Sequence, residues 1–368
     1  MFTQPSGPTL SPELAAQLDD SFFQSRPLGY FSSRITSILS TIRQGQQVPT
    51  AQDAIDFASE LGLEGSPNIL NFTNRDRTLQ IATDAFAVRH HAAETLVRLY
   101  HGLTIGAPQQ GPARSVWAAV AEGPNLTKTL VDQARAHLVS DEGHDRFWQL
   151  VLTNQHATNG HGQEAEITQA LNVVADWLHH AMDLLVRNDV NINAAHNKVK
   201  HGLSVRARND RRLTFTTKAP HADGTVPLSS LIGDEAVDIF DGVTMDYLAR
   251  APKQDGIKQG LEISTLNLKP TKMLAETWMM AVAHAAMFHV AAAEHFPNGD
   301  IPIADFPPLP LSPTPQGLLG EAVVGMRHPI TTPPDGSPLS RTTGVAFRTQ
   351  FVPFELRDTW AHGVVVDD

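Results

Sequence analysis

The run Asn193-Ala-Ala-His196-Asn197-Lys198-Val-Lys200-His201-Gly202 sets two imidazoles and two ammonium groups within ten residues. On a helix, His196 and Lys200 stand four apart, as do Asn197 and His201, so these polar groups cover neighbouring parts of one short surface. Imidazoles beside fixed cations suit phosphodiester chemistry. One histidine takes a 2′-hydroxyl proton while a cation stabilises the charge on phosphorus. His196, Lys200 and His201 are therefore the candidate catalytic residues. The same residues have a purely structural reading. Lys200 and His201 fall in the last turn before Gly202, where cations complement a helix dipole without any other role.

The surrounding segment, Arg187 to Lys218, holds eight basic residues against Asp189 and Asp210, a balance of +6 in a chain whose net charge is −11. The remainder must then carry −17, so positive charge is concentrated in one supersecondary unit. Arg187, Asn197, Arg206, Arg208, Arg212 and Lys218 are the candidate contacts to RNA or another phosphate-bearing ligand. After Gly202 the apolar period changes to two: Leu203, Val205 and Ala207 alternate with polar residues, and Leu213, Phe215 and Thr217 do so again beyond Asn209-Asp210. This predicts a hairpin with an odd loop, Asn209 to Arg211, that puts Arg206, Arg208, Arg212 and Lys218 on one exposed face.

The elements that position this segment are mostly helical. Ser11-Pro12 opens a first helix, and helices are expected over 28–44, from Thr50 to about Leu61, and over 78–103. In the last of these, Asp84, His91, Glu94, Arg98 and His101 form a polar face, while Arg89 lies among apolar neighbours and reads as a buried ion-pairing residue. Helices over 126–138 and 145–154 flank a polar loop, Ser140 to Gly143. After the histidine-bearing stretch 155–163, a second long helix runs from Glu164 to Asn188, and Asn193 caps a short helix ending at Gly202. A strand over 260–269 precedes an Ala/Met-rich helix over 271–296, in which His284 reads as a satisfied core histidine. Glu276, His284 and His289 argue that this apolar helix is buried in protein rather than in a bilayer. The last 72 residues hold 12 of the 25 prolines and cannot be helical throughout. In this stretch 317–325 reads as turns, strands are expected near 345–354, and residues 340–360 are expected to dock on the helical body.

The fold class is thus mainly α: a helical bundle with a small antiparallel β-sheet and a Pro-rich irregular C-terminal segment. Residues 1–70 form an N-terminal helical segment, 71–296 a helical core with a β insertion over 203–268, and 297–368 a wrap or tail. The absence of cysteine removes thiolate metal sites, iron–sulfur clusters, cysteine nucleophiles and disulfides, and with no signal-peptide layout it points to a reducing, cytoplasmic setting without a membrane partner. His91, Glu94 and His101, with His180 and Asp183, have the spacing of a bundle metal site. Their polar faces read instead as solvated, so no metal and no cofactor is expected.

The Arg187-Asn188 pair and the Asn197, Lys200, His201 element, in an otherwise helical chain, resemble the HEPN-type helical domains, with a wider Arg-to-His spacing than that family's. The resemblance implies a nucleic-acid-handling protein, a metal-independent RNase of the toxin or phage-defence type, acting as a homodimer. Binding without cleavage fits the residues equally well. A non-catalytic scaffold for a protein partner and a metal-binding bundle remain the other classes.

Overall fold

The computed structural model describes residues 9–43, 50–63, 72–106, 114–152, 164–201, 204–216 and 236–355, with Gly7 and residues 218, 219, 221, 222, 225, 228–231 and 234. The stretch with His156 and His161, Gly202, Leu203, Thr217 and Trp360 lie outside the described residues. The chain is mainly helical with a small antiparallel sheet. It divides into two compact units: unit 1 comprises Met1–Ile35, Ala87–His196 and Thr271–Gly320, and unit 2 comprises Thr36–Phe86, Asn197–Pro270 and Glu321–Asp368.

The helices are α1 (Pro12–Phe23), α2 (Pro27–Arg43), α3 (Ala51–Glu60), α4 (Asn74–Thr104), α5 (Val116–Glu122), α6 (Thr127–Leu138), α7 (Asp141–Val151), α8 (Glu164–Val186), α9 (Ile192–Lys200), α10 (Pro270–His295) and α11 (Pro315–Leu319). Ser11 caps α1 by accepting from the N–H of Leu14, as its position before Pro12 predicts. Ser140 to Gly143 is not a loop: Ser140 accepts from the N–H of Gly143 and starts α7 at Asp141. Glycine is required there, because a Cβ at Gly143 would lie 1.7 Å from the carbonyl oxygen of His137. The short helix α9 is capped by Asn191 rather than Asn193, through a 2.8 Å bond from the N–H of Ala194 to Asn191 Oδ1.

In unit 1 the core is built from α4, α8 and α10. Leu96, Val97, Leu99 and Tyr100 are buried on α4, Trp177, Leu178 and Ala181 on α8, and Met280, Ala286 and Phe288 on α10. Two features went unseen in the sequence. His101, assigned to the polar face, is 2% exposed, and its Nε2 stands 2.9 Å from Gln133 Oε1. Helix α5 is held from outside by Asp19, which accepts from Ser115 Oγ at 2.8 Å and from the N–H groups of Val116 and Trp117 at 3.0 Å. Asp19 is 6% exposed, and alanine there leaves two backbone donors of α5 without their acceptor. The expected cost is about 1–3 kcal/mol, read as a shift of the urea midpoint against Asp19→Asn, which keeps one acceptor oxygen. The Pro-rich segment is tied to this core side chain to backbone: Gln169 Nε2 donates to the Leu311 carbonyl, Trp177 Nε1 to that of Pro313, and Lys272 Nζ to that of Leu318.

In unit 2 the strands are β1 (Val205–Arg208), β2 (Leu213–Thr216), β3 (Ala236–Phe240), β4 (Val243–Arg250), β5 (Leu261–Leu268), β6 (Val323–Pro329), β7 (Gly344–Phe347) and β8 (Phe351–Pro353). A six-stranded sheet has the order β1-β4-β5-β6-β7-β8, and β2 pairs with β3 in a second, two-stranded sheet. All pairs are antiparallel.

The expected hairpin is therefore absent. β1 pairs with β4, Arg206 opposite Asp246, while β2 pairs with β3, Thr214 opposite Asp238. The reason is burial. Leu213 and Phe215 pack on a cluster of Ile239, Phe240 and Val345, and β4 turns Val243, Met245, Tyr247 and Ala249 inward, which no local pairing of β1 with β2 supplies. Residues 317–325 are not all turn, since β6 starts at Val323. The strands expected near 345–354 are β7 and β8, which continue the sheet from β6. Among the described residues no helix is long and apolar enough to cross a membrane.

Candidate functional site

Each predicted site residue can now be placed. In unit 1, His196 is half-buried on α9, and Arg187 closes a two-pronged pair with Asp189, Nε to Oδ1 at 2.6 Å and Nη2 to Oδ2 at 2.5 Å. In unit 2, Asn197 and Lys200 are exposed on α9, and His201 is exposed just beyond it. Arg206 is exposed on β1. Arg208 binds Asp210 at 2.6 Å, and Arg212 stands 3.4 Å from Asp238. The Arg208 bond holds the Asp210 carboxyl down at about 2. Lys218 is exposed after β2, its N–H donating to Thr216 Oγ1. Arg206 and Arg208 thus belong to one sheet and Arg212 precedes a strand of the other, so the single basic hairpin face does not form.

Ion pairing also redistributes the charge. Arg187, Arg208, Arg211 and Arg212 each have a carboxylate within 4 Å: Asp189, Asp210, Asp246 and Asp238. Lys200 and Arg206 form no ion pair with a described residue. These two cations, with Asn197 and His201, fall within one short stretch of unit 2, compacted by the bonds from the N–H of His201 to the Asn197 carbonyl and of Ser204 to the Lys198 carbonyl.

In unit 1, His196 has a partner the sequence did not supply. The ring of His90, on α4, lies against that of His196 with centroids 4.1 Å apart and planes 30° apart. His90 is 1% exposed, and its Nε2 donates to Asn193 Oδ1 at 3.2 Å. Its Nδ1 is buried without a hydrogen-bond partner. Desolvation, then the nearness of His196 and Arg89, push His90 down to about 3. It is a neutral imidazole at physiological pH, carrying its proton on Nε2.

One position before it, Arg89 reaches Glu276 on α10 at 3.3 Å, and His180 Nε2 on α8 donates to the other Glu276 oxygen at 2.8 Å. Both groups of the ion pair are buried, which bears out the reading of Arg89 as a buried ion-pairing residue. Burial alone pushes the Glu276 carboxyl up, but Arg89 and then His180 more than reverse this and hold it below its ordinary value. Glu276 inside an apolar helix and His90 beside an out-of-place arginine were the available signals; what the sequence lacked was the crossing of α4, α8 and α10. His284, expected as a satisfied core histidine, is buried with an unpartnered Nδ1. Among the described residues no group of three or more His, Cys, Asp or Glu is arranged to hold a metal ion.

No family model matches the chain, and neither the curated proteins nor the solved structures contain a match to it.

Proposed function

We propose that this protein handles nucleic acid, with RNA as the ligand class, and that the binding surface is the 197–206 stretch of unit 2. The observation that carries this reading is the contrast in charge pairing: Lys200 and Arg206 are exposed and make no ion pair with a described residue, whereas four neighbouring arginines are neutralised by carboxylates. Exposed cations without a described counter-ion give phosphate contacts and release counterions on binding. Asn197 and His201 add a hydrogen-bonding side chain on either side of Lys200. In the finer reading of the fold, the helices form a HEPN-like bundle and the Pro-rich segment 297–368 is a wrap or tail, whose first part is held by the bonds from Gln169 and Trp177 to the carbonyls of Leu311 and Pro313.

Metal-independent cleavage is a second reading, favoured by His196. Its half-buried ring lies against that of His90, and an imidazole on this short helix is a candidate general base for a ribose 2′-hydroxyl.

The test is fluorescence anisotropy with a labelled single-stranded RNA, and separately a duplex, across a salt series with EDTA present. Lys200→Glu with Arg206→Glu is expected to lower the log–log salt slope by about two, one per lost phosphate contact, with the melting temperature unchanged. No salt-sensitive binding to either RNA at low ionic strength would remove the nucleic-acid class and leave the scaffold reading. If RNA is cut, His196→Ala is expected to slow it by about 10²–10⁴-fold with affinity nearly intact.

A further inference from the structure

Independently of that reading, the packing of α9 on α4 has a consequence for acid conditions. His90 joins them: its ring lies on His196, and its hydrogen bond, Nε2–H to Asn193 Oδ1, goes to the same helix. The neutral imidazole is satisfied there, with a bare Nδ1 lone pair in a buried site. A second proton would create an Nδ1–H with no acceptor. The groups facing it make matters worse. Arg89 and His91 flank it on α4, and His196 covers it from α9; all act against a positive charge, and among the described residues only the Asn193 side chain opposes them. Among the described residues no carboxylate is a cause of the His90 shift, and Glu276, which Arg89 reaches, is also bound by His180.

We propose that His90 is an acid-sensitive latch: neutral, it holds the first turns of α9 on α4, and protonation releases them. Release would part His196 and Asn193 from α4 while α8 and α10 stay packed, because Trp177 meets His180 and Pro313, and Phe288 meets Phe22, Phe23 and His284, none of them on α9. The same event alters the environment of the Asn193–His201 element in mildly acidic surroundings, which makes the element responsive to pH through a residue outside it.

Backbone hydrogen exchange on the full chain tests this. With an unperturbed imidazole at about 6.5 in the open state, the opening equilibrium of α9 is expected to rise about thirtyfold between pH 7.5 and pH 5.0, after correction for the intrinsic exchange rate. The amides of α8 serve as the internal reference. His90→Gln keeps an N–H donor toward Asn193 but does not titrate, so its α9 protection should lose that pH dependence. Protection of α9 unchanged at pH 5.0 in the wild type, or lost equally in His90→Gln, overturns the latch. Should the variant fail to fold, imidazole nitrogen NMR of the wild type decides: His90 is expected as the neutral Nε2–H tautomer at pH 7.5, charging only as α9 loses protection. A His90 that titrates near 6.5 with α9 still protected would also overturn the proposal.

Discussion

Replacing Glu276 by alanine is expected to cost about 3–5 kcal/mol, because it strands the Arg89 guanidinium in the interior of unit 1 without its counter-charge. Both partners are almost wholly buried, side chains 9% and 3% exposed, so solvent screens neither the attraction nor the loss. Arg89→Met is expected to be costly for the mirror reason, since it leaves the carboxylate with only His180. The double change Arg89→Met with Glu276→Leu should cost clearly less than the sum, because removing both charges also removes the penalty of burying either. Urea unfolding followed by tryptophan fluorescence measures it. Trp117, Trp148, Trp177 and Trp278, four of the five tryptophans, belong to unit 1, so the signal follows the unit in question. Additive losses would mean that Arg89 and Glu276 do not act as a pair.

The same triad shows where sequence reasoning reaches and where it stops. Period finds α4 and α8, each with a long apolar stripe, and length and Ala/Met composition find α10, which is buried on nearly every side. Arg89 is legible as an exception on such a stripe. Its partner is not, since Glu276 lies 187 positions away, and nothing local in Met273 to Ala293 says which helix that carboxylate faces. The strands mark the limit more sharply. β4 carries a real period of two, Val243, Met245, Tyr247 and Ala249 inward, but Leu248, 50% exposed, blurs its polar face. The pairing of β1 with β4 instead of β2 spans more than thirty residues and is decided by burial of Leu213 and Phe215 elsewhere. Of the candidate site, the residue types were readable in Asn193 to His201. Which cations remain uncommitted depends on aspartates at 189, 210, 238 and 246, two of them on strands that local pattern did not reveal.

His284 gives the other large effect, and its sign follows from burial. It lies on α10, 4% exposed, stacked on Phe288 with planes 18° apart, and its Nδ1 has no hydrogen-bond partner. Desolvation first, and the nearby His91 second, push it down to about 4. A histidine depressed in the folded state binds fewer protons there than in the unfolded chain, where it titrates near 6.5. Stability is therefore complete above about pH 6.5 and is lost as pH falls from there towards 4. At pH 5.0 this one group is expected to remove about 2 kcal/mol relative to pH 7.5, against a total of about 5–15 kcal/mol for a typical domain. His284→Leu keeps a similar volume in the α10 packing and cannot charge. Its stability at pH 7.5 should lie within about 1.5 kcal/mol of the wild type, while its loss on going to pH 5.0 should be smaller by about 2 kcal/mol. Urea midpoints from tryptophan fluorescence at the two pH values separate this from the α9 latch, since His90→Gln removes its own share of the acid loss and leaves that of His284 in place. Equal acid losses in the wild type and His284→Leu would show that His284 takes its proton as readily in the folded state as in the unfolded chain, and the acid sensitivity of unit 1 would then rest on other buried histidines such as His90 and His101, both depressed by desolvation.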